Sequence, residues 1–216
     1  MMMRQAITKN AVILSLFAIG TAATLAITNE LTIGKVECNR QQALMNSLNE
    51  VMPQHQHDND LLADRLTVTD PLLGRSEQHV YRARLNGQAS GAVLEATAPD
   101  GYGGNIALIV GVNAEGTVSG VRIVPPHNET PGLGDNIETK KSDWIYSFDG
   151  RSLNNPADTG WAVKKDGGEF DSFTGATITP RAVVGAVHRA LQYFDANRDS
   201  LFAADAETVA AEVCDE

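Results

Sequence analysis

The 216 residues carry 27 acidic and 17 basic side chains, a net charge of −10, and 43% of them are hydrophobic. That length and composition support one domain with a sizeable core and exclude disorder as the starting expectation. No acidic residue precedes Glu30, so with Arg4 and Lys9 set aside the rest of the chain holds 27 acids against 15 bases, a balance of −12 that makes nucleic acid and anionic lipid surfaces poor partners.

The first element is "AVILSLFAIGTAATLAI", Ala11 to Ile27, an uncharged run at the short end of the roughly 17–25 residues that a spanning helix needs. One transmembrane helix over 11–30 is expected behind a tail of residues 1–10. A cleaved signal peptide competes with it, because Arg4 and Lys9 form a basic start and small residues surround Ala23 and Ala26, although the run exceeds a usual signal core. Those two bases nearly balance Lys35 and Arg40 beyond the span, and the short tail places the N-terminus in the cytoplasm and the bulk outside.

Cys38 and Cys214 are the only cysteines, too few for a four-thiolate metal or iron–sulfur site. Two unpaired thiols are expected, with a disulfide in an oxidising compartment as the alternative. Residues 31–75 read as a linker helix and loop. The helical spacing of Leu44, Leu48, Val51 and Met52 ends at Pro53. The cluster His55, His57, Asp58 and Asp60 invites a metal, but contiguous ligands lack the helix or strand spacing that preorganises a site, and a polar loop is the expectation.

From "HVYRARL" through "GAVLEATAPDGYGGNIALIVGVNAEGTVSGVRIVPP" short Val, Ile and Leu runs alternate with Gly, Asn, Asp and Pro, which predicts four or five antiparallel strands. In "TPRAVVGAVHRALQYFDAN", Thr179 is a candidate N-cap, Pro180 the first helical residue, and Val183, Val184, Val187, Leu191 and Phe194 one apolar face. The fold class is therefore α+β (α/β): a mostly antiparallel sheet with packing helices over 76–196, a transmembrane helix before it and an acidic tail over 197–216.

Just before that last helix stands "DSFTGAT", Asp171 to Thr177. Free amides and the dipole at a helix N-terminus favour a phosphate, so a hydroxyl there could carry a phosphoryl-linked group. On physics alone, turn and cap residues are the favoured reading of Thr174, Thr177 and Thr179. A nucleophilic threonine has no local support, because His188 lies well inside the helix. "ETPGLG", Glu129 to Gly134, is a Pro-Gly turn able to bring backbone close to a flat ligand, or a surface turn.

"DSFTGAT" resembles the flavinylation motif Asp-x-x-Ser/Thr-Gly-Ala-Thr of the FMN-binding domain family, with Asp171, Thr174, Gly175, Ala176 and Thr177 at its fixed positions. Gly101 to Asp135 resembles the same family's strand pair and Glu-Thr-Pro-Gly-Leu-Gly loop, here with Glu129, Thr130, Gly132 and Leu133. The resemblance implies FMN bound covalently by a phosphoester to Thr177. It further implies attachment by a separate flavin transferase that uses FAD and magnesium outside the cytoplasm. It assigns no catalytic or metal-binding residue.

Anchor, linker helix and length extend the resemblance to the G-subunit family of Rnf-type ion-translocating electron transport complexes. That implies an electron relay between ferredoxin and NADH, with the other membrane and peripheral subunits of the complex as partners. It also implies a single-pass protein of the bacterial inner (cell) membrane with its domain on the periplasmic side. The related C-subunit family of sodium-pumping NADH:quinone reductases and a membrane-anchored flavin sensor are the alternatives. His127 and Trp161 fall outside the fixed motif positions and are expected to pack rather than touch a flavin.

Overall fold

The structure, a computed structural model, describes residues 2–205, without the side chains of residues 2–6 and Glu37. The chain divides into two compact units, one built on the first 44 residues and the other beginning at Met45. Helix α1 runs Met2–Val51 without interruption, so the expected span and linker helix are one element. Gly34 is the helix's only glycine after Gly20, and no proline occurs before Pro53, so no breaker divides it. Its apolar stretch is long enough to cross a membrane, and Leu14, Phe17, Leu25 and Leu31 are all exposed.

The second unit is an antiparallel meander: β1 (Arg65–Val68), β2 (Gln78–Leu85), β3 (Gln88–Gly101), β4 (Gly104–Asn113) and β5 (Val118–Val124), paired in chain order. β1 lies where a loop was expected, because four residues are too short to show alternation, and its register Arg65 to Tyr81 is set by pairing with β2.

Helix α2 (Ile178–Ala203) covers one face of the sheet. Val183, Val184, Val187, Leu191 and Phe194, the apolar face read from the sequence, are all buried against Leu94, Leu108 and Val110. Each such side chain contributes about 1.5–3 kcal/mol by leaving water. The helix continues seven residues past the expected boundary at 196, and its last carbonyls meet the buried Arg82 guanidinium through Leu201 and Ala204.

The other face is closed by the last turn of α1 and the residue after it, where Leu48, Val51 and Met52 are fully buried. Gly111 makes this possible: a Cβ there would sit 2.4 Å from the Val51 carbonyl oxygen, inside any tolerable contact. Ser119 Oγ donates to that same carbonyl, satisfying an acceptor that the helix end leaves open.

Long loops between β5 and α2 pack an aromatic cluster at the edge of the core. Phe148 and Phe170 stack at 4.7 Å, Trp161 lies 5.2 Å from Phe170, and His188 of α2 stacks on Trp161 at 5.1 Å with the rings nearly parallel. Burial holds the His188 pKa below the ordinary histidine range; Asp158 opposes that effect and Arg189 reinforces it. The folded state thus binds this proton less readily than the unfolded chain. His188 is expected to cost nothing above about pH 6.5 and to erode stability as pH falls below that value toward its folded pKa. Denaturation midpoints compared at about pH 7.5 and about pH 5 should fall less in His188→Phe than in the parent chain. Equal losses would assign the acid sensitivity elsewhere.

Cys38 is disulfide-bonded, which corrects the expectation of an unpaired thiol there, while Cys214 lies outside the described residues. No metal-binding cluster occurs among the described residues. Asp58 and Asp60 instead accept the backbone amides of Asn86 and Leu62, and His57 Nδ1 pairs with the Asn59 carbonyl at 3.0 Å, so this segment is a hydrogen-bonded loop.

Candidate functional site

Three chain segments meet at one end of the sheet: the β3–β4 turn, the loop Glu129–Gly134, and the start of α2 with the turn before it. They enclose a cleft of about 260 Å³ lined by Tyr102, Thr130, Leu133, Gly175, Ala176, Thr177, Ile178 and Thr179. The two sequence motifs, some forty residues apart in the chain, therefore form facing walls.

One wall is the turn Phe173 to Ala176, closed by the Ala176 amide donating to the Phe173 carbonyl at 3.2 Å. Gly175 takes the left-handed conformation at φ +84°, the third position of such a turn, where a Cβ is disfavoured. Space is not the constraint, since a Cβ would meet only Leu133 Cδ2 at 3.7 Å. Gly175→Ala is accordingly expected to lower the thermal midpoint through about 1–2 kcal/mol of backbone strain, and Gly175→Asn to lower it less. Equal midpoints for glycine and alanine would contradict the backbone assignment.

Thr177 occupies the N-cap position of α2 with φ −87° and ψ −18°, and its side chain makes no capping hydrogen bond. Thr179, the expected N-cap, is instead inside the first turn, fully buried, with its hydroxyl donating to Glu129 Oε2. The helix thus begins two residues earlier than "TP" suggests. A partner fifty residues away leaves no local sequence signal for that hydrogen bond.

The opposite wall is a turn in which the Thr130 carbonyl accepts the amides of Leu133 at 3.1 Å and Gly134 at 2.9 Å, with Gly132 at φ +75°. It presents Leu133, 40% exposed, toward the cleft, beside Ile178 at 45% and Tyr102 at 68%. Three large apolar or aromatic side chains left open around one cleft are the mark of a binding surface. Tyr102 and Ile178 stand outside the site residues that the sequence points to. An aromatic between glycines at a two-residue hairpin tip is the available clue to Tyr102.

Five predicted site residues line the cleft: Thr130, Leu133, Gly175, Ala176 and Thr177. Asp171, Thr174, Glu129 and Gly132 do not. The Asp171 carboxylate is exposed and pairs with Lys164 at 2.7 Å, while its carbonyl accepts the Trp144 indole N–H at 2.8 Å. That bond, and the edge contact of Trp144 with Phe173 at 5.2 Å, fix the approach to the turn. Thr174 is exposed at the turn itself. Glu129 is buried behind the wall.

His127 and Trp161 take packing roles, as expected. The Glu129 amide donates to His127 Nδ1 at 3.3 Å, which leaves Nε2 to donate to Glu138 at 2.6 Å, and Trp161 belongs to the aromatic cluster. Among the described residues no His, Cys, Asp, Glu or Lys lines the cleft, whose lining offers hydroxyls and apolar surface but no imidazole, carboxylate or amine for chemistry of its own.

The similarities to known proteins fall on these same segments. Residues 101–192 match the FMN-binding domain family, and residues 1–51 match the RnfG N-terminal region. The chain is 50% identical over 202 residues to the G subunit of an ion-translocating oxidoreductase complex from Pseudomonas aeruginosa, covering 93% of this chain and 94% of that one. Its identity to the corresponding G subunit from Pseudoalteromonas atlantica is 49%, over 95% and 96% of the two chains. For that from Shewanella loihica the identity is 46%, over 92% and 94%. Likeness at that level over almost the whole length, with an FMN-binding domain placed on the cleft, shows that the chain belongs to the family of ion-translocating oxidoreductase complex G subunits.

Proposed function

We propose that this chain is a membrane-anchored electron-carrying subunit of an ion-translocating ferredoxin/NADH oxidoreductase complex, and that it holds FMN through a phosphoester on Thr177. The observation that carries the reading is the Thr177 hydroxyl: it sits at the N-terminus of a long helix, makes no capping hydrogen bond, and opens into a cleft rimmed by Tyr102, Leu133 and Ile178. A phosphate suits the helix end, and a flat ring suits the apolar rim.

The residues fit FMN in chemistry. Thr177 would supply the ester oxygen, Leu133, Tyr102 and Ile178 apolar cover, and Thr130 a polar contact. Bound FMN supplies the electron chemistry, while the protein fixes its position and surroundings. Attachment keeps the carrier at its station, since a dissociated flavin would be lost to a large external volume. That no imidazole, carboxylate or amine lines the cleft among the described residues accords with attachment by a separate flavin transferase.

The relatives' description as complex subunits supports other membrane and peripheral subunits as partners, and favours the G-type reading over the C-type one. The exposed apolar stretch of α1 supports a single-pass anchor. The Cys38 disulfide supports a domain on the periplasmic side, where disulfides persist. Intact mass of the protein isolated from its native membrane, together with in-gel flavin fluorescence, tests the assignment. An unmodified mass would return the chain to a purely structural role in the complex.

A further inference from the structure

We propose that Glu129 is a positioning residue whose carboxylate joins the two sides of the Thr177 cleft, so that the β3–β4 hairpin tip and the first turn of α2 move as one body. Its Oε1 accepts the Gly103 amide at 2.9 Å, and its Oε2 accepts the Thr179 hydroxyl. Gly103 follows Tyr102 at the hairpin tip, and Thr179 lies two residues after Thr177. One side chain thus bridges elements separated by 26 residues in one direction and 50 in the other.

The surroundings are shaped for that carboxylate. Glu129 is 5% exposed. A Cβ on Gly101 would lie 2.8 Å from Oε1, and one on Gly134 would lie 3.0 Å from both Oε2 and Thr179 Oγ1. Side chains at either position would push the bridge apart. Both oxygens are taken by neutral donors, and Glu129 does not line the cleft. Its reach is therefore indirect: it sets the separation between Tyr102 and Thr177 through the groups it holds.

Because the donors are neutral, Glu129→Gln can keep both bonds: its oxygen accepts from Gly103 and its amide group donates to Thr179 Oγ1. Glu129→Ala keeps neither. Thr179→Val removes one bond and leaves the Gly103 contact untouched in the chemical sense, so any effect at Gly103 must pass through Glu129.

The test is amide hydrogen exchange on the full-length chain in detergent micelles, carrying Thr177→Ala so that no flavin is attached. Exchange at Gly103 is expected to rise about tenfold in Glu129→Ala and several-fold in Thr179→Val. It should stay near the parent rate in Glu129→Gln and return to it in Thr179→Ser, while Val110 in the core of β4 keeps its protection throughout. Unchanged Gly103 exchange in Thr179→Val, or a glutamine variant well above the parent rate, overturns the proposal, and both comparisons stand even if Glu129→Ala does not fold.

The consequence for the cleft rests on the flavin reading above and is measured separately. With Thr177 restored and a flavin transferase co-expressed, the fraction of chain carrying FMN mass is expected to fall several-fold in Glu129→Ala and to be retained in Glu129→Gln. Coupled exchange in a parent chain that never gains FMN mass supports the bridge and contradicts the flavin reading. FMN mass on Thr177 with uncoupled exchange does the reverse.

Discussion

Thr177→Ala is expected to yield a folded, membrane-inserted chain with no FMN mass and no fluorescent band in a denaturing gel, while Thr174→Ala keeps both. The two threonines differ in what their hydroxyls face. Thr174 is exposed at the outside of the turn, whereas Thr177 lines the cleft at the head of α2. Removing an N-cap threonine ordinarily costs about 0.5–2 kcal/mol, because its oxygen satisfies an amide of the first turn. Here the side chain makes no such bond, so the alanine variant should unfold within about 0.5 kcal/mol of the parent. Loss of flavin with unchanged stability separates an attachment residue from a structural one. A fluorescent band persisting in Thr177→Ala would sink the assignment, and a large stability loss would show that the hydroxyl caps the helix after all.

What the sequence makes legible follows from the range of the interactions involved. The strands of the meander announce themselves because Val, Ile and Leu runs are punctuated by Gly and Asn at the turns, and the buried face of α2 because its apolar spacing is helical. Both are local patterns. The start of α2 is misplaced by sequence because Thr179-Pro180 has the form of a cap and first residue, while the hydroxyl of Thr179 answers to Glu129. β1 escapes notice because its four residues owe their strand geometry to β2.

The site divides in the same way. Thr177, Gly175 and Leu133 are legible because they stand in contiguous motifs, and resemblance supplies the chemistry that helix physics alone leaves open between phosphate site and cap. The convergence of the two motifs on one cleft needs the fold. So does the entry of Tyr102 and Ile178, which the tertiary arrangement leaves exposed beside Thr177. Glu129 reads as a contact residue because it belongs to the motif, yet its burial turns it toward the protein's own donors.

At the far end of α2, Arg82→Ala is expected to produce the largest loss of stability in the domain. The Arg82 side chain is 2% exposed; its Nε donates to Asp64 Oδ1 at 2.7 Å and its Nη1 to the Leu201 carbonyl at 2.8 Å, with Ala204 as a further acceptor. The guanidinium therefore does two jobs. It neutralises Asp64, which also binds Arg84 at 2.7 Å, and it satisfies carbonyls that the end of the helix leaves without partners. Truncation leaves a largely buried carboxylate with one cation in place of two and strands those carbonyls, a loss on the order of 3–5 kcal/mol. For a domain of this size that corresponds to a fall of about 10 °C in the unfolding midpoint. Trp144 and Trp161 both lie in this unit, so intrinsic fluorescence of the full-length chain in micelles reads the transition without interference from α1. Arg181→Ala is the control: its pair with Asp166 is solvent-exposed, and its removal should leave the midpoint essentially in place. If the two variants melt together, Arg82 is not what holds α2 to the sheet. If Arg82→Ala alone falls, the end of α2 remote from Thr177 is anchored by a charge on β2, and the helix that presents Thr177 is fixed to the sheet at both ends.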